Sequence, residues 1–554
     1  MSIVVKNLTK KYDDGKIALN NVSFEVEPKK VLGIIGKSGA GKTTLIRILR
    51  GSEKFNEGSI EVFGKKENLR DVTAIHLQRN FALWAEPAIN NIIRKLHAIR
   101  EQSDESLPIE EDMPEYTEKA IEILKLVGLE DKANTFSNIL SGGEKQRLIM
   151  GRQLAKIYEK GEGVLLLDEP VTMSCPASKK MILEIINNAR KKLNITVILT
   201  SHLPEIHKYL CDECILLKNG EIKSKGKPDE IVDEFLKDMN EEYVKKNSLN
   251  SEKEAKELIY EVKDISKRYF VINGGETLNL KNISFEVQKG EILSILGASG
   301  TGKSVLLRIL GGLELPDTGE ILLKGIDLSH FGWERMNLRS KMGIMHQEFS
   351  LAHYSTVGEL LKYRRNIKSS KVLLDAKEKA KMYEIPETVV DALYQLLDLP
   401  DTERNNKLEK LGISQKILLS LFNASEEDIY SYDKLMNALD LDSEILNKKP
   451  GELSGGQRVR VAIALQLVNQ PEILLLDEPF GDLDPITLRD VSNYLKKIND
   501  MYGTTIVLIS HHIEFIKEIS DRAILIDNGT IDSEGKPDEI CEKFIEKSTL
   551  KFCK

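Results

Sequence analysis

The chain has 554 residues, too many for a single hydrophobic core, and this length points to roughly two to four domains. A formal charge of −8 with 30% charged residues gives a mildly acidic surface and argues against a general nucleic-acid binder, which needs a basic balance. No apolar run reaches the roughly 18 to 20 residues of a membrane span, no charged-then-apolar leader precedes the first strand pattern, and five cysteines do not make a disulfide framework, so a reducing cytoplasm is expected.

The chain repeats itself. Val5-Lys6-Asn7-Leu8-Thr9-Lys10-Lys11-Tyr12 recurs as Val262-Lys263-Asp264-Ile265-Ser266-Lys267-Arg268-Tyr269, an offset of 257. Farther on, Asn219-Gly220 and Gly226-Lys227-Pro228-Asp229-Glu230-Ile231 recur as Asn528-Gly529 and Gly535-Lys536-Pro537-Asp538-Glu539-Ile540, an offset of 309. Matching ends with a grown offset mean two homologous units, the second lengthened by insertion. The expected boundaries are 1–240 for the first, 241–257 for a short linker of five Glu and four Lys, and 258–554 for the second.

In the first unit, alternating apolar positions at Ile3 and Val5, then Val22, Phe24 and Val26, read as antiparallel strands. Val31 to Ile35 is a buried strand that runs into Gly36-Lys37-Ser38-Gly39-Ala40-Gly41-Lys42-Thr43, followed by a helical run from Thr44 to Leu49. In that setting the glycines let backbone N–H groups wrap the β and γ phosphates of a nucleotide, Lys42 adds a point charge and Thr43 offers a hydroxyl to Mg²⁺. Gln78 follows a short strand, Thr73 to Leu77, and residues 86 to 139 read as mostly helical, with Ile121, Leu124 and Val127 on one buried face. Leu140-Ser141-Gly142-Gly143-Glu144 opens the next helix as a backbone nest suited to phosphate. Val164-Leu165-Leu166-Leu167-Asp168-Glu169 then reads as a parallel strand delivering two carboxylates to a sheet edge, one for Mg²⁺ and one to orient an attacking water. A further strand, Val197 to Thr200, ends in Ser201-His202. Cys211 and Cys214 have the spacing of half a metal site, yet their counterparts in the second unit are Ser520 and Ala523 and no second pair is suitably spaced, so they read as packing residues.

The second unit repeats this order. It carries Tyr269, the loop Gly297-Ala298-Ser299-Gly300-Thr301-Gly302-Lys303-Ser304 followed by Val305, then Gln347, Leu453-Ser454-Gly455-Gly456-Gln457, Ile473 to Glu478 with Asp477, and Ser510-His511. From Gln347 to Ser454 is 107 residues against 63 from Gln78 to Ser141, so roughly 44 extra residues enlarge a helical region at about 360–450. There Val389, Leu393, Leu396 and Leu397, then Ile413, Ile417, Leu418, Leu421 and Phe422, stand at helical spacing, either as added packing or as a docking surface. The units differ after the carboxylate pair: Pro479-Phe480-Gly481-Asp482-Leu483-Asp484-Pro485 faces Pro170-Val171-Thr172-Met173-Ser174-Cys175-Pro176, with Cys175 at the position of Asp484.

Taken together these motifs resemble the nucleotide-binding domains of the ABC ATPase family, present twice. The resemblance implies an α/β fold of two tandem P-loop domains, each with a RecA-like core, an antiparallel β subdomain and a helical subdomain. It implies ATP and Mg²⁺ as ligands, with Tyr12 and Tyr269 stacking on adenine and Thr44 and Val305 following the phosphate loops. Metal contacts fall to Thr43, Gln78, Asp168, Ser304, Gln347 and Asp477, water orientation to Glu169 and Glu478, and sensing of the γ-phosphate to His202 and His511. In the family the units pack head to tail, so Ser454, Gly455 and Gly456 would complete the first site and Ser141, Gly142 and Gly143 the second. The aspartate-less segment around Cys175 would then make the second site hydrolyse more slowly.

Three loads fit two such units without a membrane domain: activation of a partner, an importer, or a ribosome-associated role. The acidic balance and short linker disfavour the last. Pro170-Val171-Thr172-Met173, the linker and the enlarged second helical region resemble the ATP-binding activation components, called A-two, of the methyl-coenzyme M reductase system of methanogenic archaea. That likeness implies a role in methanogenesis, with methyl-coenzyme M reductase and iron-sulfur activation proteins as partners.

Overall fold

The computed structural model describes residues 3–12, 15, 17–77, 83–140, 142–171, 176–238, 257–271, 275–298, 300–347, 351–399, 401–422, 432–478, 480 and 483–550. The chain divides into two compact units, Met1–Met239 with Asp482–Thr487, and Asn240–Gly481 with Leu488–Lys554. Apart from Glu257, the expected linker lies outside the described residues.

In the first unit, β1 (Ile3–Lys11), β2 (Ile17–Val26) and β4 (Glu57–Val62) form an antiparallel sheet in the order β2-β1-β4, with Ile3 opposite Val26 and Val5 opposite Phe24. The other sheet has the order β5-β6-β7-β3-β8-β9, built from β3 (Val31–Ile35), β5 (Thr73–Leu77), β6 (Glu162–Asp168), β7 (Asn194–Thr200), β8 (Glu213–Lys218) and β9 (Glu221–Gly226). All its pairings are parallel except β8 with β9.

Central strands with both faces covered read as unbroken apolar runs. In β6, Val164 and Leu166 enter a core shared with the antiparallel sheet and the helix Lys42–Leu49, while Leu165 and Leu167 enter a second core with the helices on the other face. The helix Met113–Leu126 and the turn after it bury Tyr116, Ala120, Ile123, Leu124 and Val127. Ile121 instead is 41% exposed: the buried stripe follows the 3.6-residue period through its neighbours and leaves it on the flank.

The second unit has β10 (Leu258–Val271), β11 (Gly275–Gln288), β12 (Ile292–Gly297), β13 (Thr318–Leu323), β14 (Ile326–Asp327), β15 (Met342–Met345), β16 (Ile473–Asp477), β17 (Thr505–Ile509), β18 (Arg522–Asp527) and β19 (Thr530–Gly535). They form a four-stranded sheet, β11-β10-β13-β14, and a six-stranded sheet, β15-β16-β17-β12-β18-β19, the second repeating the strand program of the first unit.

The enlarged region consists of the helices Val357–Ile367, Ser370–Met382, Glu387–Leu396, Asp401–Leu411, Gln415–Phe422 and Asp433–Ala438. Its apolar residues, among them Val372, Val390, Tyr394, Leu418 and Phe422, join the same core as the strands of the unit. Val389 and Ile417 are exposed; Val390 and Tyr394 fill the inward positions beside Leu393 and Leu396. Buried charges hold the region in place. Asp391 lies 2.8 Å from Arg339 Nη2, and Asp398 accepts from Lys368 Nζ at 2.8 Å and from Arg364 Nη2 at 3.0 Å. Among the described residues no helix is long and apolar enough to cross a membrane.

Candidate nucleotide site

Each phosphate loop leaves its strand against a neighbouring backbone. A Cβ on Gly36 would stand 2.3 Å from the Leu217 carbonyl oxygen, so no larger residue fits without displacing the strand. Gly41 and Gly302 hold the N-cap positions of the helices Lys42–Leu49 and Lys303–Leu310 at φ of +103° and +95°, and no side chain caps either helix. The first N–H groups are thus left for a ligand, and an anion suits them. Lys37, Ser38 and Gly39 are exposed around this opening, while Ala40 is buried beneath it. In the second unit Gly300 is exposed, Ala298 is half-buried, Thr301 Oγ1 donates to the Ala298 carbonyl at 2.9 Å, and Ser299 lies outside the described residues.

Both lysines fold back into their loops. Lys42 Nζ donates to the carbonyls of Gly36 at 2.7 Å and Lys37 at 3.1 Å; Lys303 Nζ donates to those of Gly297 at 3.0 Å and Ala298 at 2.9 Å. Burial lowers the pKa of Lys42, opposed by the charges of Glu169 and Asp168. A γ-phosphate would add further negative charge and favour the ammonium form.

The carboxylate ends of β6 and β16 meet these loops. Thr43 Oγ1 donates to Asp168 Oδ1 at 3.2 Å, and Ser304 Oγ donates to Asp477 Oδ1 at 2.9 Å. Burial raises the pKa of both aspartates above the ordinary value. A hydroxyl and a buried carboxylate held together are hard oxygen donors, and a hard divalent cation such as Mg²⁺ fits them: it would keep the carboxylate charged where burial opposes it. Thr200, which the sequence reading did not select, also donates to Asp168 Oδ1 at 2.6 Å. Its counterpart is the apolar Ile509, as the strand registers Asp168 opposite Thr200 and Asp477 opposite Ile509 show.

Glu169 and Glu478 take left-handed conformations at φ of +51° and +47°, and their N–H groups donate to Thr200 O and Ile509 O at 3.0 Å. This uncommon backbone turns each carboxylate away from the strand direction. His202 Nδ1 lies 2.9 Å from Glu169 Oε1, and His511 Nε2 lies 2.8 Å from Glu478 Oε1. The other ring nitrogens, Nε2 of His202 and Nδ1 of His511, are buried with no protein partner, which fits a ligand oxygen at that point. Burial would raise Glu478, but the His511 hydrogen bond and charge and the Lys303 charge outweigh it and hold its pKa below the ordinary value.

Tyr12 sits beside the first loop, its hydroxyl 3.3 Å from Thr44 Oγ1, with Lys10 Nζ 4.9 Å from the ring centroid. Tyr269 is partly exposed under Lys267, 5.7 Å from its ring centroid, and Val305 packs against the core of the second unit. Gln347 is exposed just after β15, whereas Gln78 lies outside the described residues. Ser454 caps the helix Gly455–Leu467: its hydroxyl accepts from the Gln457 N–H at 3.2 Å, and Gln457 Oε1 accepts from the Ser454 N–H at 2.9 Å. Ser454 and Gly455 are exposed and Gly456 is half-buried, so Gln457 holds the turn that presents the glycines. Gly142 and Gly143 open the helix Gly142–Lys160; Ser141 and Cys175 lie outside the described residues. Asp484 caps the helix Pro485–Tyr502, accepting from Thr487 N at 3.0 Å and Thr487 Oγ1 at 2.8 Å.

Fold and site define a twin P-loop nucleotide-binding protein. The ABC transporter family profile matches residues 19–172 and 280–481; the chain belongs to that family, and its domains imply ATPase activity. It is 60% identical to an uncharacterized ABC transporter ATP-binding protein of Methanocaldococcus jannaschii, over 100% of this chain and 99% of that protein. A second such uncharacterized protein of the same organism is 30% identical over 99% of this chain and 97% of its own. A solved structure of RNase-L Inhibitor is similar in fold, with a TM-score of 0.59 at 18% identity, covering 98% of this chain and 93% of that one.

Proposed function

We propose that this chain hydrolyses ATP at two composite head-to-tail sites and uses the resulting closure and release to activate a protein partner, methyl-coenzyme M reductase. The observation that carries the hydrolytic part is the matched constellation in both units: a phosphate-loop lysine, a hydroxyl paired to a buried aspartate, and a glutamate bonded to a histidine.

In this reading the loop N–H groups and Lys42 or Lys303 hold the β and γ phosphates, and Tyr12 or Tyr269 supports the base. Glu169 and Glu478 accept a hydrogen bond from the attacking water and align it in line with the leaving oxygen. His202 and His511 keep each glutamate in place and offer their free nitrogen to the γ-phosphate. Thr43, Asp168 and Gln78 in one site, and Ser304, Asp477 and Gln347 in the other, would hold Mg²⁺, which would supply charge neutralisation on the phosphates. The glycine-opened helices of Ser454 to Gly456 and Ser141 to Gly143 each close the other unit's site, so ATP binds the halves together and its hydrolysis releases them.

The partner assignment is supported by the whole-chain layout and by the second helical region, which is built into the core of its unit. Such a rigid extension transmits a motion of the nucleotide site to whatever it touches. Reductive chemistry would belong to the partners, iron-sulfur activation proteins supplying electrons.

An anaerobic affinity purification of a tagged Glu169→Gln/Glu478→Gln chain, held with ATP, tests both parts. Recovery of methyl-coenzyme M reductase with iron-sulfur proteins is expected. Recovery of a membrane permease instead would assign the chain to an importer, a reading its family name also favours. Undiminished ATP hydrolysis by the double variant would overturn the catalytic assignment.

A further inference from the structure

Behind the first nucleotide site, three soft donors converge. His207 lies on the helix Pro204–Leu210, Cys211 ends that helix, and Cys214 stands on β8. His207 Nδ1 is 3.8 Å from Cys211 Sγ and 3.6 Å from Cys214 Sγ, and all three atoms lie within 4.8 Å of one another. In a tetrahedral zinc site, bonds of about 2.0–2.3 Å place neighbouring nitrogen and sulfur ligands about 3.5–3.8 Å apart. The observed separations match that shape.

A glycine lets the donors come together. Gly33 on β3 pairs with Cys214 on β8, and a Cβ added to it would lie 2.4 Å from His207 Nδ1, 2.7 Å from Cys211 Sγ and 2.8 Å from Cys214 Sγ. The three donor atoms thus converge against the bare backbone of Gly33, where any side chain would collide with all of them. The histidine is also oriented for the task. Its Nε2 lies 3.0 Å from the Ser201 carbonyl, which can only accept, so Nε2 carries the hydrogen and Nδ1 turns its lone pair toward the sulfurs. His207 and Cys214 are buried, while Cys211 is partly exposed and gives an ion a way in.

The second unit supplies an internal comparison. There the counterparts of Gly33, His207, Cys211 and Cys214 are Ser294, Ile516, Ser520 and Ala523. Ser294 stands opposite Ala523 in the strand register and hydrogen-bonds Ser520, and Ile516 and Ala523 belong to an apolar cluster. Ordinary packing therefore satisfies the fold at this place. The first unit replaces that packing with three donors and the one residue whose lack of a side chain lets them meet.

We propose that Cys211, Cys214 and His207 bind one thiophilic cation of the zinc type, with the fourth position open to water or a partner's ligand. Binding converts two thiols to thiolates and releases their two protons to solvent. The ion ties β8 to the helix after His202. Ser201, which receives the His207 hydrogen bond, also donates through Oγ to Glu169 at 3.3 Å, so the ion braces the backbone that carries the switch histidine without touching the nucleotide.

The test uses the full-length chain, reduced, stripped with chelator and titrated anaerobically with cobalt(II) alone. One equivalent should bind with a thiolate charge-transfer band in the near ultraviolet and the strong visible bands of a four-coordinate ion, and zinc should bleach both. Cys214→Ser and His207→Ala should lose these bands, and Cys541→Ser, at a buried cysteine elsewhere, should keep them. X-ray absorption of the zinc-loaded wild-type chain needs no variant and should show two sulfur neighbours and at least one nitrogen. Absence of thiolate bands in the reduced protein, bands that survive in Cys214→Ser, or a zinc shell of oxygen and nitrogen alone would overturn the proposal.

Discussion

Replacing Asp398 by Asn tests whether the second helical region is part of the nucleotide unit or an appendage. The Asp398 carboxylate is fully buried and accepts from Lys368 at 2.8 Å and Arg364 at 3.0 Å, and its backbone oxygen receives His346 Nε2 at 2.9 Å, one residue before Gln347. Burial alone would raise its pKa; the charges of Lys368 and Arg364 instead hold it below the ordinary value. An amide of the same shape leaves Lys368 buried without a counter-charge, which costs about 3–5 kcal/mol. With an m value of about 3 kcal/mol/M the urea midpoint of this unit falls by about 1 to 1.7 M.

The chain has two tryptophans, Trp84 in the first unit and Trp333 in the second. Trp333 packs on the helical region: Lys377 Nζ is 5.6 Å from its ring and its backbone N–H donates to Glu387. In a Trp84→Phe background its fluorescence therefore reports both the region and the unit. Burial depresses the pKa of Lys368, so its charged form carries a penalty that is present below the folded pKa and disappears as pH rises toward the unfolded one. Without the Asp398 charge, which raises it, the Lys368 pKa falls further still, so the deficit of Asp398→Asn should be largest at acidic pH, shrink as pH rises to about 7, where wild-type Lys368 titrates, and stay level above that. Lys368→Met/Asp398→Leu should recover most of the loss. A midpoint shift below about 0.3 M, or an early separate Trp333 transition, would refute the reasoning.

Three further outcomes follow from the sites. Asp168 and Asp477 have raised pKa values, so their charge opposes folding above the ordinary carboxylate range; Asp168→Asn and Asp477→Asn should each melt higher than wild type at neutral pH in chelator, yet gain less than wild type from Mg²⁺-ATP, since each keeps only one unaltered site, as read by thermal shift. Gly41→Ala puts a Cβ 2.5 Å from the Ala18 carbonyl oxygen at a φ of +103°, and nucleotide binding by the first unit should fall at least tenfold in a fluorescent-ATP titration. If Cys175 slows the second site, Glu169→Gln should leave the smaller residual ATPase rate and Glu478→Gln the larger, and equal rates would dismiss that asymmetry.

Much of this was legible because it is local. The run Val164 to Asp168 is buried at every position but must emerge at a carboxylate, and a glycine loop between a buried strand and a helix has few other uses. What the sequence hid depends on contacts between distant segments. Ile121, Val389 and Ile417 keep helical spacing yet lie outside the buried stripe, because which neighbouring face turns inward is decided by the packing partner. Thr200 looks like one more strand residue until β6 and β7 pair and set it against Asp168. Cys211 and Cys214 have the spacing of half a metal site yet read as packing residues; His207, four residues before Cys211 at the spacing of one helical turn, joins them only in the folded chain, where Gly33 on another strand lets the three side chains meet.

The two units carry one set of reacting groups on different supports, and the difference has a mechanical consequence. In the first, the aspartate is held by Thr200 and the segment around His202 is tied through Ser201 to His207. In the second, the strand before Gln347 is tied through His346 to Asp398, and through Asp398 to two cations of the added helices. A shift of β15 that keeps these bonds must carry the helical region with it, because stretching a buried ionic contact costs more than moving a rigid body. The added helices of the second unit are therefore fastened to the strand that ends before Gln347, and they carry Tyr383, Met382 and Leu374 exposed on their outer face.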